Sequence, residues 1–396
     1  MKKRVIFIVV TALLCCLLVA CGSKTRLQAP QNIRQNGPFL IWDEVKNAEG
    51  YIVLADNEEY VTAEPSCNLS FLGGETVYVV KIKAVGDGEN FADSDWSEFG
   101  FNEIFKYTLL ADGSGYEVNL SVSSVELQDR KVVVPSTYEN LPVTRIADKM
   151  FYKCASLTEI VLPNTLKEIG ANAFYNCDAL ESIELPESVT AIGPSAFMHC
   201  SSLKKIVVPT GIERIESNMF NDCTSLTEVV LPSMLKEIRG MAFFGCIALE
   251  NIELPASVTA IGSIAFGGCS SLKKIVVPTG VERIEGSTFV GCSNLTEVVL
   301  PSTLKEIMGM AFRKCEALKT VVLPSSLEDI GKDAFYMCPL ESVFFDGTEA
   351  EFLSVSVAEG NDSILSAAVY FYSETEPTEN PQKFWRFSGG KPLPWA

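Results

Sequence analysis

From residue 151 onward a cysteine stands every 23 residues: Cys154, Cys177, Cys200, Cys223, Cys246, Cys269, Cys292, Cys315 and Cys338. Three residues before each stands a phenylalanine, from Phe151 to Phe335. Three residues after the first eight stands a leucine (Leu157 to Leu318), six after an isoleucine or valine (Ile160 to Val321), and nine after a proline (Pro163 to Pro324). One copy is too short to hide this many apolar side chains by itself. The copies must therefore stack, each covering the next, and the spacing predicts a solenoid.

Within a copy the pattern predicts the path of the chain. Leu180, Ile183 and Leu185 alternate with polar residues, which is the period of a short strand with one face inward. Pro186 ends that strand, because proline donates no ladder hydrogen bond. Val189 and Ile192 return inward on a second extended stretch, Gly193 is expected to permit the following turn, and Ala196, Phe197 and Cys200 fill the far side. A longer period of 69 residues lies over the first: the segment Ser202 to Pro209 recurs almost unchanged as Ser271 to Pro278. Surface residues were copied along with the core.

The 13 cysteines do not form a small disulfide scaffold, since nine of them follow this register. A metal site needs ligands converging from several directions, and the single histidine, His199, has no column of its own. The cysteines are best read as small buried hydrophobes, and neither metal nor cofactor is expected. A formal charge of −18 makes nucleic-acid binding improbable.

Ahead of the repeats the chain changes character twice. Lys2, Lys3 and Arg4 precede an apolar run from Val5 to Ala20, shorter than a stable membrane span. Residues 27–103 alternate apolar and polar positions in short runs broken by turns, as in Tyr51 to Leu54, and predict an all-β domain. Beyond the repeats, 373–396 begins with Glu374, Glu376 and Pro377, then gathers Phe384, Trp385, Phe387 and Trp395. This tail either docks on the last coil, the preferred expectation, or stands out as an aromatic hook.

Three resemblances sharpen these expectations. Leu18-Val19-Ala20-Cys21 resembles the lipobox of bacterial lipoproteins. It implies that 1–20 is a removable signal, which would take the charge from −18 to −21 with the loss of Lys2, Lys3 and Arg4. It further implies that Cys21 carries a lipid holding the chain to the membrane, with 21–26 a linker. Residues 27–103 resemble a fibronectin type III domain, a β-sandwich: Pro30 opens it, Trp42 is the buried tryptophan, Leu72 and Tyr78 have the tyrosine-corner spacing, and Ser94-Asp95-Trp96-Ser97 closes it. The large aromatics Trp42, Tyr78 and Trp96 are expected in its core. From 104 to 372 the Leu-x-x-Ile-x-Leu-Pro and Ala-Phe-x-x-Cys signatures resemble the BspA-like leucine-rich-repeat family. Here 104–145 is read as the first, atypical coils, with Ala111-Asp112-Gly113 and Val132 to Pro135; 146–343 as the repeats; and 344–372 as the closing coil. The fold class that follows is mainly β, a leucine-rich-repeat solenoid preceded by a β-sandwich.

The partner surface is expected on the first strand, at the positions between inward residues. One column there includes Glu159, Lys205, Glu228, Lys274 and Glu297; the next holds Val161, Glu184, Val207, Val230, Glu253, Val276, Val299 and Val322. Six exposed valines would make a banded apolar patch of the kind that marks interaction sites. Against that, valine is a good strand former, and Glu and Lys of neighbouring coils can simply pair. No Gly-x-Ser-x-Gly elbow, P-loop or nucleophile–base pair occurs, so the chain is read as non-catalytic. Family members are associated with adhesion, which implies a host or bacterial protein as partner at the extracellular face of the envelope. Capture of a glycan or nutrient is the alternative, with the tail tryptophans as its only candidate residues.

Overall fold

A computed structural model describes residues 24–36, 39–55, 58–68, 79–100, 105–121, 131–389 and 391–395. Cys21 and the 1–20 segment, Leu72 and Tyr78 lie outside the described residues. The chain divides into two compact units that part between Glu98 and Phe99. Among the described residues no helix is long and apolar enough to cross a membrane.

The first unit carries two antiparallel sheets. One has three strands, Arg34–Asn36, Phe39–Ile41 and Ser66–Asn68. The other has four, in the order Glu58–Thr62, Gly50–Ala55, Val79–Val85 and Ser97–Gly100. Alternation along these strands sends Leu40, Tyr51, Val53, Val80, Ile82 and Ala84 inside, where Trp42 meets Tyr51 edge to face at 5.1 Å. The Tyr51 hydroxyl accepts a hydrogen bond from the Val45 amide at 2.8 Å. Trp96 corrects the sequence reading: it is 37% exposed, with the Lys83 ammonium over its ring at 5.1 Å. The ring lies at the surface, where its face meets a cation instead of filling the core.

The second unit is a stack of coils. First strands such as Glu159–Val161, Lys205–Val207 and Glu228–Val230 carry the outward columns, while second strands such as Glu168–Ile169, Ala191–Ile192 and Arg214–Ile215 form another side. All pairing between successive coils is parallel and in register, as in Lys205 beside Glu228 and Glu168 beside Ala191. On the phenylalanine side the amides reach forward to the next coil, Phe174 N–H to the Ala196 carbonyl at 2.8 Å and Asn176 N–H to that of Met198 at 2.8 Å. The chain turns there through two left-handed residues per coil, such as Ser195 (φ 56°) and His199 (φ 60°) around Phe197. Gly193 therefore does not act as expected. Its φ is ordinary, and glycine is needed because a Cβ would lie 2.5 Å from the Ala171 amide of the preceding coil.

The core is a set of ladders. Each phenylalanine three residues before a repeat cysteine, from Phe151 to Phe335, is fully buried, and successive rings stack 5.1–5.7 Å apart. The cysteines are buried as predicted, and they also donate. From Cys177 to Cys338 each thiol points at the carbonyl of the preceding coil's phenylalanine, Cys177 to Phe151 at 3.2 Å and Cys200 to Phe174 at 3.1 Å. A methyl group would fill much of that space, but only a donor satisfies the carbonyl.

Both ends are closed. At the start, the hairpin of Phe105–Leu109 and Tyr116–Leu120, turned at Ala111 to Gly113, lays its second strand parallel to Leu141–Ile146. At the finish, the strands Ser342–Asp346 and Ala368–Tyr372 continue the first-strand ladder, and the tail adds Phe384–Ser388 and Lys391–Pro394. The tail thus docks, as preferred. Trp385 is fully buried, donates to the Phe345 carbonyl at 2.9 Å and packs edge-on against Phe344. Pro392 and Pro394 sit on the outermost strand and offer no amide to a further one.

Candidate functional site

The first-strand face is built by simple alternation. Ile206 and Ile275 turn inward, so the residues on either side of each must turn out. Val161, Val207, Val230, Val276 and Val299 are 36–47% exposed, a row of apolar side chains at the surface of a strand ladder. In the neighbouring column Lys205 pairs with Glu228 at 2.6 Å and Lys274 with Glu297 at 2.6 Å. A second row beside these repeats the device: Lys204 with Glu181 at 2.7 Å and Lys273 with Glu250 at 2.6 Å. Glu159 is exposed at the head of the first column. Such exposed pairs contribute little to stability, and their main effect is to neutralise the flanks of the valine row. Glu184 and Glu253 also stand exposed in that row, as predicted.

Two expectations fail here. Val322 is half-buried, because Phe344 lies beside it in register and Trp385 covers Phe344. The face is also not one continuous sheet. Strands run in pairs, Lys205–Val207 with Glu228–Val230 and Lys274–Val276 with Glu297–Val299. Between pairs, Ser182 and Asn251 make only isolated bridges to Lys205 and Lys274. Pairing also stops between Glu297–Val299 and Thr320–Pro324, so the breaks are not confined to the two coils with glutamate in place of valine.

A second feature was not anticipated. A cleft of about 670 Å³ opens on the second-strand side, lined by Glu237, Arg239, Thr259, Gly262, Gly280 and Glu285 among others. It arises where one coil carries Ala260, Gly262 and Ser263 between neighbours with long side chains. That run of small residues was the available signal. Arg239 is held by Glu216 at 2.8 Å and Arg283 by Glu306 at 2.6 Å, so its guanidinium groups are already engaged.

The remaining chemistry is quiet. Burial pushes the thiols of Cys200 and Cys269 from 9.0 up to about 12, and that of Cys154 to about 11. Desolvation likewise raises Cys177, Cys223, Cys246 and Cys292 well above 9.0. Thiols so placed are poor nucleophiles and poor metal ligands. Among the described residues no group of three His, Cys, Asp or Glu side chains could hold a metal ion. His199 lies 3.5 Å from Asp222 and edge-on to Tyr175 at 5.3 Å, at a turn.

Stacked 23-residue coils with parallel ladders and leucine, isoleucine and phenylalanine columns define a leucine-rich-repeat solenoid. The chain belongs to the family described as the BspA type leucine rich repeat region, whose model matches in six copies over residues 137–250 and 236–355. Among solved structures it is similar to a leucine rich cell surface protein from Faecalibacterium prausnitzii, at 21% identity and a TM-score of 0.37, over 66% of this chain and 98% of that one. It is also similar to the T. pallidum leucine rich repeat protein, at 27% identity and a TM-score of 0.33, over 64% and 92%. The pneumococcal vaccine antigen PcpA is a third, at 18% identity and a TM-score of 0.36, over 71% and 91%. No curated protein matches.

Proposed function

We propose that this chain is a non-catalytic, lipid-anchored surface protein that binds protein partners through its first-strand face, in adhesion or a related contact. The observation that carries the reading is the exposed valine row flanked by mutually neutralised Lys–Glu pairs. Valine favours the strand wherever it stands, but a row of methyl groups left in water is also an apolar surface that a partner gains by covering. The anchor is Cys21, in its lipobox-like setting. The first unit, with strands grouped three and four around buried Trp42, is read as a fibronectin type III-like spacer that lifts the array off the membrane. The tail tryptophans give little support to glycan capture: Trp385 is buried and Arg386 covers Trp395 at 4.0 Å.

The test is a solid-phase binding panel of host matrix and bacterial surface proteins, run with the full exported chain. Changing Val207, Val230, Val276 and Val299 together to threonine removes exposed methyl groups without touching the core. Partner binding should fall about tenfold or more, while the circular dichroism and melting temperature stay close to those of the parent. Retained binding would reject the face. Separately, Cys21→Ser should shift the protein from the membrane fraction to the medium; unchanged membrane retention and lipid labelling would reject the anchor.

A further inference from the structure

We infer that the first-strand face takes one extended polypeptide segment lying along the stack, with basic side chains about 14 Å apart that meet Glu184 and Glu253. This rests on the face being the partner surface and adds what kind of partner fits it. Read down the stack, the row is Val161, Glu184, Val207, Val230, Glu253, Val276, Val299. Glu184 and Glu253 occupy the same place in the two 69-residue copies, each followed by two valines. Both are exposed, and among the described residues neither has an ion-pair partner, although the lysines and glutamates of the adjoining columns are paired. Both also sit where the strand ladder lapses to a single bridge. Among the described residues no cation answers these two carboxylates. A cationic partner answers them.

Spacing selects the conformation of that partner. Three coils at about 4.8 Å put the two carboxylates about 14 Å apart. In an extended strand, rising about 3.4 Å per residue, residues i and i+4 point the same way about 14 Å apart, with i+2 between them over the valine pair. An α-helix spans that distance in about nine residues, which places the two side chains on opposite faces. A polyproline II helix returns to the same face at about 9 and 19 Å, missing the second carboxylate. The fitting ligand thus reads basic-x-apolar-x-basic. Its run is bounded toward the C-terminal end, where Trp385 over Phe344 closes the row.

The probe is a pair of fluorescent peptides of one composition, measured by anisotropy against the full exported chain. One is Lys-Thr-Val-Thr-Lys flanked by serines; the other has its lysines moved to adjacent positions. The spaced peptide should bind, with the permuted one about fivefold weaker or worse. Glu184→Gln with Glu253→Gln should weaken the spaced peptide about fivefold and flatten its salt dependence, and the four-valine variant should weaken it as well. Equal binding of the two peptides, no binding of either, or indifference to the paired Gln variant or to the four-valine variant overturns the inference. If the four-valine variant loses a panel protein while both peptides fail, the face stands and the strand-shaped basic ligand falls.

Discussion

Above pH 9 the stacked coils should lose stability steeply, and most of the loss should come from thiols that never touch solvent in the native state. Seven of them, from Cys154 to Cys292, are raised above the ordinary value of 9.0 by burial. The folded array keeps these protons, whereas the unfolded chain surrenders them once the pH passes 9. The folded pKa lies above the unfolded one, so the stabilisation is complete below pH 9 and drains away as pH climbs toward the folded values of about 11 to 12. Each thiol contributes about 1.4 kcal/mol per pH unit where only the unfolded form is ionised, and seven together approach about 10 kcal/mol per unit. Domains have about 5–15 kcal/mol in total, so unfolding is expected within about one to two units. Urea titrations followed by circular dichroism at pH 7.5, 9 and 10 would measure the slope. Replacing Cys200, Cys223 and Cys246 by alanine should lower the slope by about 4 kcal/mol per unit. A flat profile to pH 10 would mean that the thiols are not buried as a ladder.

Phe243→Ala should cost about 4 kcal/mol, near the upper range for a large core side chain. The ring is fully buried and lies between Phe220 at 5.4 Å and Phe266 at 5.3 Å, so its loss opens a cavity and breaks two stacked pairs. Backbone relaxation is limited, because the Phe243 amide is bonded forward to Ala265 at 2.8 Å and its carbonyl holds the Cys269 thiol at 3.1 Å. In an array where each coil touches only its neighbours, the cut falls on both interfaces of one coil. The two halves should then unfold less cooperatively, seen as a broadened urea transition. A change below about 1 kcal/mol would show that the coils are held elsewhere.

Much of this was legible in the sequence because the repeat states each rule eight or nine times. A phenylalanine in a fixed phase at Phe151, Phe174 and onward cannot be a surface accident, and a proline in fixed phase marks the end of every first strand. The left-handed turns were legible only in part. Asn172, Asn176, Asn218, Asp222, Gly245, Gly268 and Gly291 are residue types that accept a positive φ, whereas Lys149, Ser195, Met241, Ile264 and Met310 give no such signal and are held there by the forward hydrogen bonds of the phenylalanine side. The lapses of the first-strand ladder at Ser182 and Asn251 were not legible, because the Leu-x-x-Ile-x-Leu-Pro pattern runs through both coils unbroken. Val322 and Trp96 were misplaced for a related reason. The burial of Val322 depends on residues distant in sequence, Phe344 with Trp385, and the surface contact of Trp96 with Lys83 belongs to strand packing that no local pattern encodes.

The uniformity of the coil interfaces bears on how such a chain changes length. Any coil can follow any other in phase, since each offers its successor the same ring and the same thiol-bound carbonyl. Recombination between copies can then insert or excise whole turns without refitting the interior, leaving the hairpin that ends in Pro392 and Pro394 untouched. Reach becomes a discrete, heritable quantity, adjusted in steps of about 14 Å for each three-turn block.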